Sequence, residues 1–163
     1  MYLGLNHRDI IELPEGIHRL KALQTFNIRW CGCLTALSDE ILNLVRLRHL
    51  KMFKSMFQDV RGMAEELGNL IQLRRLGVMD VAEENISELF ASITKMPGLL
   101  SLSLEAKHAF DKGNLILLDS FSPPPFLQKL LLEGVLEKLP TSFGSLERLT
   151  TLRLGNSHMS ENS

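Results

Sequence analysis

The stretch Ile93-Thr94-Lys95-Met96-Pro97-Gly98-Leu99-Leu100-Ser101-Leu102-Ser103-Leu104 places apolar side chains at 93, 96, 99, 102 and 104. The first positions fall three apart, as on one side of a helical turn, and the last two fall two apart, as on one face of a strand. The strand half, Leu-x-x-Leu-x-Leu, recurs from Leu23 (with Phe26 and Ile28), Leu47 (Leu50, Met52), Leu73 (Leu76, Val78), Leu127 (Leu130, Leu132) and Leu149 (Leu152, Leu154). Leu3 and Leu5 are the second and third positions of an earlier copy, which makes seven. The helical half recurs in step, as Ile17 and Leu20, Ile41 and Leu44, Leu67 and Leu70, and Phe143 and Leu146. Only the copy before Leu127 departs, keeping Phe121 but placing Pro124 second.

Successive starts at 23, 47, 73, 99, 127 and 149 differ by 24, 26, 26, 28 and 22 residues, close to the roughly 20 to 29 of a leucine-rich repeat. A single copy cannot bury its apolar face, so the copies must stack. The pattern predicts an α/β repeat fold, a leucine-rich-repeat solenoid of about seven repeats. In this horseshoe a parallel sheet lines the concave side, and about two helical turns per copy, or irregular turns, form the convex side. Pro14 and Pro140 set the turn into their convex segments, with Ser38 at the corresponding place in another copy. The longest connection, Lys107 to Phe126, ends in Ser122-Pro123-Pro124-Pro125, which reads as a rigid extended loop. Within it, Leu115 to Leu118 suit either a small extra strand or core filler. Residues 1–157 read as repeat domain and 158–163 as a polar tail or truncated next repeat. With no polar capping unit at either end, the expectation is a piece of a longer protein.

The 163 residues are 45% apolar and 23% charged, with a formal net charge of -1. That balance gives no general pull toward nucleic acid or an anionic membrane, so a charged partner must meet a local patch. No apolar run reaches the length of a membrane span and the start lacks a secretory layout, which points to the cytoplasm. Cys31 and Cys33 are too few for a disulfide scaffold or a zinc site, and Cys31, three residues after Ile28, suits a buried loop position that satisfies the backbone. His7, His18, His49, His108 and His158 fall on different copies or faces without metal-ligand spacing. Glu105 and Glu133 share a column, but nothing beside them suggests a sugar cleft. Asn85-Ile86-Ser87 is a glycosylation sequon that matters only in a secreted protein. No catalytic, cofactor or metal site is expected.

Between the inward residues lie those that point out of the sheet, in columns across the rungs. One runs Asn6, Arg29, Phe53, Met79, Glu105, Glu133, Gly155 and another Gly4, Asn27, Lys51, Gly77, Ser103, Leu131, Arg153. Trp30, Arg48, His49, Lys54, Arg74 and Arg75 flank them. The expected protein-binding set on the concave face is therefore Arg29, Trp30, Arg48, His49, Lys51, Phe53, Arg74, Arg75, Met79, Glu105 and Glu133, a cationic, aromatic end followed by an acidic one. The same residues also suit an ordinary solvated sheet face with Trp30 folded over the solenoid edge.

Ile11-Glu12-Leu13-Pro14-Glu15-Gly16-Ile17, Leu47-Arg48-His49-Leu50, Leu73-Arg74-Arg75-Leu76, and above all Ser122-Pro123-Pro124-Pro125-Phe126-Leu127-Gln128-Lys129-Leu130 followed by Leu139-Pro140 carry a family resemblance. They resemble the repeat region of plant intracellular nucleotide-binding leucine-rich-repeat disease resistance proteins. The resemblance implies a sensor and autoregulatory domain that binds pathogen effectors, host proteins or the receptor's own nucleotide-binding domain. A nucleotide is then expected only in an upstream domain, since no Gly-x-x-x-x-Gly-Lys-Ser/Thr loop occurs here. The other reading is a free-standing intracellular scaffold or adaptor built of similar repeats.

Overall fold

A computed structural model describes residues 1–5, 9–29, 31, 33–34, 39–53, 67–81, 86–106, 121–136 and 138–155, without the side chains of Asp39, Leu42, Phe53 and Asp80. Asn6, His7, Trp30, Ser38, Lys54, Asn85, His108, Leu115 to Leu118, His158 and residues 158–163 lie outside the described residues.

Each Leu-x-x-Leu-x-Leu yields one strand: β1 (Tyr2–Gly4), β2 (Thr25–Ile28), β3 (His49–Phe53), β4 (Arg75–Val81), β5 (Ser101–Ala106), β6 (Lys129–Glu133) and β7 (Thr151–Gly155). All seven pair in parallel in chain order, in a single sheet. Leu3, Phe26, Leu50, Leu76, Leu102, Leu130 and Leu152 stand in one register row, as the repeat alignment requires. This is a leucine-rich-repeat solenoid. The inward residues of β2 to β6 are buried, whereas Leu152 on β7, with a neighbouring strand on one side, remains 39% exposed.

The backbone of the core leucines is satisfied by a device that the three-residue spacing makes possible. In successive turns the N–H of one apolar residue donates to the carbonyl of the apolar residue three before it. Examples are Leu44 to Ile41 and Leu47 to Leu44 (3.0 and 2.8 Å), Leu70 to Leu67 and Leu73 to Leu70 (both 3.0 Å), and Met96 to Ile93 and Leu99 to Met96 (2.9 and 3.0 Å). Apolar side chains at i and i+3 eclipse one another in a 3-10 turn and so enter the core together. The convex segments Ile17–Arg19, Asp39–Asn43 and Thr141–Ser145 are accordingly short 3-10 helices of three to five residues, within the short helices or turns expected from sequence. Only α1 (Ile86–Thr94) reaches two helical turns among the described residues, burying Ile86, Leu89, Phe90 and Ile93. Gly16, at φ 79°, supplies the left-handed residue that turns the chain from Pro14 into Ile17–Arg19.

The aberrant copy shows what the device needs. Phe121 is buried, and residues 121–124 form neither helix nor strand, as the proline run predicts. Proline has no N–H, so Pro124 cannot donate to the Phe121 carbonyl. The hydroxyl of Ser142, in the next copy, donates to it instead at 2.8 Å. The Phe121 ring stacks on Phe90 of the preceding copy, with centroids 4.2 Å apart. Cys31 plays a similar part at the other end: it is 1% exposed, and its thiol reaches the Leu5 carbonyl at 3.2 Å.

Replacing Leu102 with Asp buries an unpaired charge at the centre of the stack and is expected to abolish cooperative unfolding by circular dichroism, whereas the same change at Leu152 leaves the fold in place. Ser142→Ala should cost about 1–3 kcal/mol in denaturant unfolding. Because Pro124→Ala restores the missing N–H, Ser142→Ala should cost less in that background; strict additivity of the two changes contradicts the assigned hydrogen bond.

Candidate recognition surface

The face of the sheet opposite the core carries the outward residues. The register confirms one column read from sequence in full: Gly4, Asn27, Lys51, Gly77, Ser103, Leu131 and Arg153 stand opposite one another on successive strands. The other column is corrected. Phe53 pairs with Met79, and Glu105 pairs with Glu133 and then Gly155, but the register between β4 and β5 shifts between Val78 and Val81. Val78 and Val81 are both buried although three apart, which strict alternation forbids, so β4 carries one extra residue, and Met79 and Asp80 together stand opposite Glu105. Arg29 lies just past the end of β2 rather than within a strand.

On this face a depression of about 460 Å³ opens across β2 to β6. Of the residues expected to bind a partner, Arg29, His49, Lys51, Arg75, Met79 and Glu105 line it. Arg48 and Arg74 do not. They sit just before their strands, where the Arg48 guanidinium donates to the carbonyls of Val45 and Leu47 (3.4 and 3.3 Å) and that of Arg74 to Gly98 (2.8 Å). Glu133 is also off the depression, lying against Gly155, where an added Cβ would come within 3.0 Å of its Cγ. Trp30 and the Phe53 side chain lie outside the described residues.

A third column, Tyr2, Thr25, His49, Arg75, Ser101, Lys129 and Thr151, was only partly recognised from sequence. Thr25 and Ser101 line the depression with Ser103, Gly77 and Leu131, yet none of these was in the expected binding set. The signal was available in the residue that precedes each second leucine, which points to the same side as the one after it.

Local contacts fix several of these groups. Asn27 is only 8% exposed; its amide donates to the Tyr2 hydroxyl at 3.2 Å, and its Oδ1 accepts from both the backbone N–H and Nε of Arg29 (3.3 and 3.2 Å). Arg29 is thereby held at the rim. The Thr25 hydroxyl lies 3.0 Å from His49 Nδ1. Partial burial, then the charges of Arg75 and Lys51, keep the His49 imidazole below its usual pKa. Away from this face, His18 is paired with Glu40 across the first two convex turns, Nδ1 to Oε1 3.0 Å, and the ring lowers the Glu40 pKa. Among the described residues no three His, Cys, Asp or Glu side chains gather as a metal set, and no helix is long and apolar enough to cross a membrane.

Two plant proteins are similar in sequence to this chain. A disease resistance protein of Arabidopsis thaliana, RPM1, is 32% identical over 98 residues, 60% of this chain. Disease resistance RPP13-like protein 4, from the same plant, is 26% identical over 147 residues, 90% of this chain. The chain resembles the repeat region of plant disease resistance proteins. It spans only 10% and 17% of these two relatives. No family model matches this chain. Among solved structures, the plant peptide hormone receptor RGFR1 in complex with RGF2 aligns over 91% of this chain and 27% of its own, with a TM-score of 0.49 and 21% identity.

A histidine with a depressed pKa favours the fold above its ordinary titration range and loses that contribution as pH falls through its own value. The His49 imidazole, followed by NMR, should therefore titrate below the ordinary value of about 6.5, and Arg75→Gln should move the midpoint upward. A wild-type midpoint at or above the ordinary value contradicts the assigned surroundings.

Proposed function

We propose that this chain is the protein-recognition repeat region of a plant disease resistance receptor. In this reading it works in the cytoplasm by binding rather than by catalysis, and contacts a pathogen effector, a host protein or the receptor's own nucleotide-binding domain. The observation that carries the reading is the depression on the open sheet face, which draws its lining from five adjacent strands. Because each rung contributes only a few outward side chains, such a surface changes its specificity by substitution without touching the core. Arg29, Arg75 and half-buried Met79 in its lining are of the residue types enriched in protein interfaces. The two disease resistance relatives support the biological setting.

A photo-crosslinking side chain at Ser103, on the open face, should form protein adducts in plant leaf extract that excess unmodified chain competes away. The same group at exposed Ala91 on α1 should form few. Adducts arising only from Ala91, or from neither site, contradict the proposal.

A further inference from the structure

The open face contains a two-by-three grid of outward positions that has one side chain missing. His49 and Lys51 on β3 stand beside Arg75 and Gly77 on β4, which stand beside Ser101 and Ser103 on β5. Adjacent strands lie roughly 4.8 Å apart, and successive outward residues on one strand roughly 6.6 Å apart. Gly77 is thus a gap bordered by Lys51, Arg75, Ser103 and, diagonally, His49. A Cβ on Gly77 would fit without a clash, in ordinary van der Waals contact with Lys51 Cγ at 3.6 Å and Ser103 Cβ at 4.0 Å. The glycine is not demanded by a left-handed backbone, since its φ lies outside that range. Around it the depression holds three cations, Arg29, Lys51 and Arg75, against one carboxylate, Glu105.

We propose that this notch is the docking site for an acidic, partly apolar segment of a partner protein, with one carboxylate seated over Gly77 between Lys51 and Arg75. The inference rests on the open face being a recognition surface and names the chemistry of what it recognises. The Arg75 guanidinium offers a planar fork to the carboxylate, Lys51 a point charge, and the hydroxyls of Ser101 and Ser103 further donors. Met79 and Leu131, half-buried at the margins, take the apolar side chains that flank the acid. A long uniform polyanion fits less well. Beyond the notch the outward charges alternate in sign, Glu105 and Glu133 with Lys129 and Arg153, so a uniformly charged strand running across the face meets like charge within two rungs.

The test uses the full chain and fluorescence anisotropy with three probes: a labelled short peptide alternating aspartate and leucine, its asparagine counterpart, and an oligothymidylate of equal charge. The aspartate peptide should bind at least about tenfold tighter than either of the others. Arg75→Glu and Lys51→Glu should each weaken it about tenfold or more, with a shallower salt dependence. Gly77→Leu fills the notch without changing charge and suits a strand better than glycine, so it should weaken binding while preserving the circular dichroism spectrum. Arg153→Glu on β7, outside the depression, should change little. Equal affinity for the asparagine peptide or for oligothymidylate overturns the proposal, as does full affinity in Gly77→Leu. If the Ser103 cross-link forms but charge reversal is inert, the acidic-segment assignment falls and the recognition surface stands.

Discussion

The structure depends on one constraint: each rung must satisfy its own buried backbone and lend the remainder to its neighbour. In the turn that leads into each strand, a single carbonyl accepts two N–H groups from the following rung. The Gln24 carbonyl takes those of Arg48 and His49, Arg48 those of Arg74 and Arg75, Arg74 those of Leu100 and Ser101, and Leu100 those of Gln128 and Lys129, all at 2.8 to 3.0 Å. Together with the three-residue turns between apolar residues, this pairs buried main-chain groups along the described rungs. No rung is stable alone, because half of its partners belong to the next one.

The same ladder turns a periodic sequence into a fixed surface. Once the carbonyl of Arg48 is bonded to the N–H groups of Arg74 and Arg75, the columns beyond it are locked in register, and His49 must stand beside Arg75 and Lys51 beside Gly77. The electrostatics of the open face follow from that lock. Partial burial, with Arg75 and Lys51 beside it, lowers the pKa of the His49 imidazole, while the cations drawn to loop carbonyls at Arg48 and Arg74 serve the solenoid edge. Core and surface can therefore be altered almost independently, which suits a scaffold whose partners change.

Most of the fold was legible because its signals are local and repeated. Period-two alternation located Leu50 and Leu102 in the core, and simple counting between copies aligned Lys51 with Gly77 and Ser103. An i, i+3 apolar pair is compatible with either an α-helix or a 3-10 turn, so the sequence leaves the convex segments open between helices and turns. Two features escape that reading, each for a physical reason. The bulge in β4 arises from competition between Val78 and Val81 for the core, which the strand pattern averages away. Arg48 and Arg74 were assigned to the recognition face because charge is visible in sequence, whereas the nearby carbonyls that engage them are not. Conversely, Thr25 and Ser101 are absent from the columns read in sequence because small residues carry no signal until their neighbours are placed.

Native-state hydrogen exchange resolved by NMR tests the shared ladder most directly. The paired amides of Arg74 and Arg75, Leu100 and Ser101, and Gln128 and Lys129 should exchange only through opening of the whole stack, with the same free energy as the central strand amides and a higher one than those of β1 and β7. Independent, fast exchange of these amides, rung by rung, would show that the repeats are not held by shared carbonyls and would contradict the account.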